Sequence, residues 1–381
     1  MTGSRLMPPS FRFGGTAFLL AVFGVLTIIS SQSASARPLY LALRQSCWIG
    51  TGFVVFSVVS RIPFSWYRRQ AFPLAVAGII LLLLLPICGS RINGMRGWFR
   101  LGDISLQPSE VVKAIYLLSL SSLLAWRRRG EWRDFGAAAA LAGMWLLPLA
   151  IQPDFGTSLV YGGVFLLLTW LAGTGWRPLA TAIVAGGGAA AAAILRHPYV
   201  ARRVWGFLNP EADPLGSGWH LRQFEMAIAR GGFFGSKLGG AVWSNAYLPL
   251  PYNDSAFATM AETLGIAGLL LPASLFVLLI WWLCSEARRE ELSCGARFYL
   301  AGCAALLGLQ ALIHVSVNAG LMPATGLTLP FISYGGSSMT GCFLMLGIAV
   351  SAARDGGAGP EETPEPAGKG NSSAGTGAAE E

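Results

Sequence analysis

The chain has 381 residues, of which 54% are hydrophobic and 12% charged, with a mean hydropathy of +0.55 and a net charge of +8. A soluble globular domain carries about 25% charged residues. The composition therefore excludes a water-soluble globular protein and indicates an integral membrane protein.

A transmembrane helix needs about 20 mostly apolar residues, and about ten such runs follow one another here. They lie near 15–34, 41–60, 72–90, 108–126, 136–152, 156–173, 178–195, 256–283, 298–320 and 328–352. The expected fold is an all-α polytopic membrane protein of about ten transmembrane helices, with a long outer loop between the seventh and eighth. Arg5 and Arg12 before the first run and "SASA" after it imitate a signal peptide. The spans that follow make an uncleaved first helix the simpler reading.

The seventh run, "LATAIVAGGGAAAAAIL", is nearly all small residues, which suits close helix packing. The loop over 196–255 contains "WHLRQFEMAIARGG" and "GGFFGSKLGG". Both are too apolar for disorder, so short helices at the outer interface are expected. Residues 1–354 read as one membrane domain, and 355–381, rich in Gly, Ala, Pro, Ser and Glu, as a disordered cytoplasmic tail. The six cysteines have no metal-ligand spacing and read as small apolar residues.

With the N-terminus in the cytoplasm, Arg5, Arg12, Arg61, Arg68, Arg69, Arg127, Arg128, Arg129, Arg133, Arg177, Arg288, Arg289, Arg297, Arg354 and Lys369 satisfy the positive-inside rule, while Arg37 and Arg44 fall on the outer side. Two basic clusters run against it. One holds Arg91, Arg96 and Arg100; the other holds Arg196, Arg202, Arg203, Arg222, Arg230 and Lys237. An anionic ligand on the outer face accounts for them, and so do anionic lipid headgroups.

Polar residues inside spans are costly and mark functional candidates. In "QPSEVVK", Pro108 and Ser109 read as a helix start, and Glu110 and Lys113 can pair at i, i+3. That pair either fixes packing or walls a polar cavity with Arg96 and Arg100 at its mouth. In "IQPDFGTS", Asp154 falls in a short turn where it can cap the sixth helix. In "LPLPYNDSAFATMAETLG", Asp254 could cap the eighth helix. Its i, i+8 spacing to Glu262 places both acids on one helical face, which suggests a wet cavity. Prolines, glycines and hydroxyls in "NAGLMPATGLTLPFISYGGSS" imply a broken or re-entrant segment whose hydrogen bonds come from Ser333, Tyr334, Ser337 and Ser338. All four groups fall toward the outer side.

These stretches, with "RGWFRLGDISLQPSEVVK", "QPDFGTSLV" and "LRQFEMAIARGGFFGSKLG", make the sequence resemble the SEDS family (shape, elongation, division and sporulation), the RodA, FtsW and SpoVE group. The resemblance implies a peptidoglycan glycosyltransferase that polymerises lipid II at the outer face of the bacterial cytoplasmic membrane. It also implies a class B penicillin-binding protein as the cross-linking partner. The family's essential aspartate corresponds to Asp254. Tyr252, Asn253, Ser255 and Thr263 depart from the usual residues around it.

On this reading Asp254 is the general base for the attacking sugar hydroxyl. Arg96, Arg100, Arg202 and Arg203 are candidates for the diphosphate. No cofactor is called for, although a divalent cation, Mg or Mn, could assist. A lipid II flippase and a non-catalytic scaffold for the transpeptidase are the alternatives. The family resemblance leaves open whether the chain serves elongation, division or sporulation.

Overall fold

The apolar runs are helices. The computed structural model describes residues 7–33, 35, 37–92, 95–102, 104–126, 132–211 and 218–355. The expected tail beyond 355, with Lys369, lies outside them, as do Arg5, Arg127, Arg128 and Arg129. Ten long apolar helices cross the molecule: α1 (Pro9–Ser31), α2 (Tyr40–Val59), α3 (Phe64–Cys88), α4 (Pro108–Trp126), α5 (Trp132–Ile151), α6 (Phe155–Leu171), α7 (Trp176–Arg196), α11 (Ala256–Ala287), α12 (Cys294–Asn318) and α13 (Gly336–Ala353). Among the described residues nine of these are long and apolar enough to span a membrane, and α6 is shorter. The chain is a multi-pass membrane protein.

Alternating direction places the starts of α1, α3 and α5 at one end of the bundle and their C-termini at the other. The second end carries the decoration. Its loop helices are α8 (Pro198–Leu208), α9 (Trp219–Gly231) and α10 (Val242–Tyr247). It also carries a feature the sequence reading lacked, an antiparallel sheet in the order β1 (Ser90–Ile92), β2 (Met95–Leu101), β3 (Ile104–Leu106). Arg91 pairs with Arg96, and Arg100 with Ser105.

The most buried helices are α4 and α13. Gly341 of α13 lies against the Glu110 carbonyl, where a Cβ would collide. Tyr116 and Tyr161 stack with centroids 4.2 Å apart and 8° between planes. Their hydroxyls donate to backbone carbonyls of Tyr161 (2.7 Å) and Ser109 (3.1 Å), so neither polar tip is stranded in the core.

Two expectations are corrected. The close packing predicted for the small-residue seventh span does not occur: only Pro178 of α7 is buried, and Gly186, Gly187 and Gly188 face open space. The last span starts at Gly336 rather than near 328, because Pro330, the left-handed Phe331 (φ 65°) and Gly335 hold the preceding backbone out of helix.

One helix is broken internally. Within α11, Gly265 has φ 66° and ψ −179°, a conformation available to glycine. The α9–α10 connection enters the gap. The amides of Ile266 and Ala267 donate to the carbonyls of Gly232 and Phe233, both at 3.0 Å, and the Ser236 amide donates to the Glu262 carbonyl at 2.9 Å. The break therefore leaves those backbone groups paired.

Candidate active site

Asp254 lies in a turn just ahead of α11. That helix's N-cap is Ser255, whose hydroxyl donates to the Pro249 carbonyl (2.7 Å) instead of capping. The capping reading of Asp254 is therefore excluded, and so is the shared helical face with Glu262, since Asp254 is not helical.

The turn is strapped down from three sides. Thr259 Oγ1 donates to the Pro251 carbonyl (2.7 Å). The Tyr334 amide donates to the Tyr252 carbonyl (2.7 Å), and Ser333 Oγ donates to the Asn253 carbonyl (2.8 Å) while accepting the Leu329 amide (2.8 Å). Asn318, at the end of α12, donates through Nδ2 to the Asp254 carbonyl (3.0 Å) and accepts the Ala258 amide through Oδ1 (3.2 Å). Leu250 holds a left-handed φ of 46° in the same turn, a conformation that persists only where surroundings enforce it.

With its backbone fixed, the Asp254 carboxylate accepts no hydrogen bond from the described residues. It faces Arg203 of α8. A Cβ built on Gly326 (φ 74°) would sit 3.9 Å from both Asp254 Oδ2 and Arg203 Nη1, so this glycine floors the space between them. Asp254 is partly covered at the surface but surrounded by protein beneath. Poor hydration pushes its pKa from 3.8 up to about 6, against the opposing pull of Arg203. Arg203 also donates to the Ala324 carbonyl (3.0 Å). Partial burial, then the same guanidinium, lowers the pKa of His220 on α9.

The other acids are occupied. Glu262 is buried and caps α10: Oε1 accepts the Trp243 amide (2.9 Å), and Oε2 accepts the Ser244 amide (2.7 Å) and hydroxyl (2.6 Å). Arg230 Nε lies 3.8 Å from Oε1, and its guanidinium lies over the Trp243 ring. Asp154 is the N-cap of α6, accepting the Thr157 amide (3.1 Å) and the Ser109 hydroxyl (3.3 Å). Lys113 donates to Glu110 (2.8 Å), Gln310 Oε1 (3.4 Å) and Cys342 Sγ (3.3 Å), a buried arrangement that ties α4 to α12 and α13.

The remaining predicted residues divide. Ser337 Oγ accepts the Gln107 amide at the start of α4 (2.8 Å). Tyr334 packs edge-on against Tyr252, centroids 5.6 Å apart. Arg96 donates to the Pro86 carbonyl (2.7 Å) and Arg100 to the Gly102 carbonyl (3.3 Å), both on the exposed sheet. No hydrogen bond or ion pair between described residues joins them to Asp254. Arg202 is exposed beside the half-buried Arg203. Among the described residues no three His, Cys, Asp or Glu side chains converge as a metal site. The lone Asp254 carboxylate facing a guanidinium does not form a divalent-cation cage.

Sequence reasoning missed a polar stripe. Gln310, His314 and Asn318 recur every fourth residue on α12 and share a face. Gln310 Nε2 donates to the Thr328 carbonyl (3.0 Å), and His314 Nδ1–H donates to the Leu327 carbonyl (2.7 Å). The stripe joins the buried Glu110–Lys113 pair to the Asp254 turn. Its four-residue period inside an apolar run was the available signal.

The family model for FtsW, RodA and SpoVE, described as "Cell cycle protein", matches residues 12–356. A probable peptidoglycan glycosyltransferase FtsW from Coxiella burnetii is 39% identical over 350 residues, covering 89% of this chain and 94% of that protein. Its namesake from Halomonas elongata is 34% identical, with 84% and 83% covered. Among solved structures, a chain of a peptidoglycan synthase complex that coordinates polymerization and crosslinking superposes with a TM-score of 0.75 at 30% identity, covering 90% of this chain and 98% of that one. The rod shape determining protein RodA of Thermus thermophilus gives 0.67 at 28%, with 90% and 96% covered.

Proposed function

The chain belongs to the FtsW/RodA/SpoVE family of cell cycle proteins, and from that membership we propose that it is a peptidoglycan glycosyltransferase of the bacterial cytoplasmic membrane. Its substrate is lipid II, a disaccharide peptide on a polyprenyl diphosphate. Its partner is a class B penicillin-binding protein that cross-links the strands. The arginine-rich loops support an orientation with both termini in the cytoplasm, in which the Asp254 end faces outward.

One observation carries the catalytic assignment. Asp254 is the acid whose backbone is strapped in place while its carboxylate remains uncommitted, with a pKa near 6. A base poised there is ionised at neutral pH yet basic enough to take a proton. The 4-hydroxyl of the acceptor GlcNAc gives its proton to Asp254, and its oxygen bonds to C1 of the donor MurNAc. The bond from C1 to the diphosphate oxygen breaks with inversion, and the polyprenyl diphosphate departs with the electron pair. Diphosphate needs no general acid. Arg203 is the cation placed to stabilise its growing charge.

The test is lipid II polymerisation by the purified chain with a partner whose transpeptidase site is inactivated, wild type against a folded Asp254→Asn variant. Strands from the wild type alone support the assignment. Equal synthesis by both removes Asp254 from catalysis. Synthesis by neither brings the flippase or scaffold reading forward.

A further inference from the structure

At the opposite end from Asp254, the start of α1 and the end of α2 border a cavity of about 640 Å³, within the range of small-molecule sites. Its walls are apolar: Phe11 and Phe18 from α1, Phe53 and Phe56 from α2. The groove exists because α1 carries two successive glycines there. A Cβ at Gly14 would come within 3.0 Å of the Phe56 ring, whereas one at Gly15 would meet nothing within 4 Å.

The mouth is cationic. Arg61, just past α2, and Arg354, just past α13, both line it, with Ser10 from the first turn of α1. Arg354 Nη1 donates to the Ser60 carbonyl (3.4 Å), which fixes one guanidinium beside the residue preceding Arg61. Arg61 is exposed and forms no ion pair with a described residue. The nearby acids are engaged elsewhere: Glu286 with Arg12 and Arg289, Glu291 with Arg289, and Asp355 with the Ser293 hydroxyl (2.9 Å). The first turn of α1 has no acid and no side-chain cap, so its positive end adds to the same field.

We propose that this groove is a binding site for an anionic phospholipid, with the phosphate between Arg61 and Arg354 and one acyl chain along Gly14 and Gly15. The observations favour this occupant over two others. A transmembrane helix packs along a face about 30 Å long, whereas the groove runs only from Pro8 to Phe18 along the first helix, about 15 Å at about 1.5 Å per residue. Free phosphate would leave the aromatic walls unused. Lipid tails surround the whole bundle, so the acyl chain confers little preference, and selectivity resides in the charge at the mouth.

Native mass spectrometry of the full chain in detergent, with added phosphatidylglycerol or phosphatidylcholine, tests the site. Phosphatidylglycerol should be retained over phosphatidylcholine. Arg61→Gln and Arg354→Gln should each reduce that retention about fivefold, with their effects compounding. Arg69→Gln, an exposed arginine at the same end but outside the cavity, should leave it unchanged. Gly15→Leu should fill the groove and reduce retention of both lipids. Melting temperatures in lipid-free detergent verify that the variants are folded. Equal losses in Arg69→Gln and the mouth variants would show a diffuse surface effect and overturn the proposal. Unchanged retention in Gly15→Leu, or full competition by inorganic phosphate, would overturn it as well, because the groove would then hold no chain.

Discussion

Replacing Asp254 with Asn should abolish synthesis and stabilise the protein. The folded chain raises this carboxyl from 3.8 to about 6, so it binds the proton more tightly than the unfolded chain does. The stabilisation linked to that proton is complete below about pH 4 and is lost as pH rises through about 6. Above that window the wild type holds an ionised, poorly hydrated carboxylate that Asn does not reproduce. Two pH units correspond to about 3 kcal/mol at about 1.4 kcal/mol per unit. Discounted for the group's remaining contact with water, the expected gain is about 1–3 kcal/mol at pH 8. Melting curves of both proteins between pH 4 and 8, paired with polymerisation rates, measure it. The wild-type rate should fall about tenfold per pH unit below about 6, where the base is protonated. A variant less stable than wild type at pH 8, or a gain undiminished at pH 4, would refute the reasoning, because the carboxylate would then be a structural partner.

Three further outcomes are expected. Glu262→Gln replaces a charged acceptor of three hydrogen bonds to Trp243 and Ser244 and should cost about 2–4 kcal/mol, read as a lower melting temperature with faster proteolysis around α10. Lys113→Met leaves Glu110 buried and unpaired and should cost about 3–5 kcal/mol, whereas Lys113→Met with Glu110→Gln should cost less than the single change, a comparison made by melting in detergent. Asn318→Ala removes the ties from α12 to the Asp254 carbonyl and to the Ala258 amide in the first turn of α11; polymerisation should fall about tenfold or more, and the pH midpoint of the rate should move from that of wild type, a change that loss of stability alone would not produce.

The helices were legible because most apolar runs come close to or exceed the length that crosses the membrane core, and α4 was readable to its first residue because Pro108 and Glu110 mark a helix start. What escaped depends on distant partners. Nothing local distinguishes Gly265 as a break; its conformation answers to Gly232 through Ser236, roughly thirty residues earlier. β1 and β3, three residues each, are too short for a period-2 pattern, and the seven residues of β2 break alternation at Trp98 and Phe99. Spacing misled at Asp254 and Glu262, since i, i+8 has meaning only inside a helix and Asp254 lies outside one. Small residues in α7 permit close approach without supplying a neighbour. Asp254 was singled out in the sequence, but the feature that sets it apart, a fixed backbone with an uncommitted carboxylate, depends on Asn318, Ser333 and Tyr334, which only the fold brings to it.

The depth of the polar stripe on α12 bears on transport. From Asn318 to Gln310 it descends about 12 Å at about 1.5 Å per residue, less than half of a hydrocarbon core about 30 Å thick. Lys113, its last partner, is neutralised by Glu110. Beyond Gln310 the same helix buries Leu307, Leu306, Cys303, Leu300 and Tyr299 in the apolar core. A sugar headgroup crossing the bundle along this route would lose its hydration against those side chains with no polar partners in exchange. The stripe ends where it has joined the buried ion pair to the Asp254 turn. That is the extent needed to hold the Asp254 turn at one membrane face, and it is too short to serve as a path between the two faces.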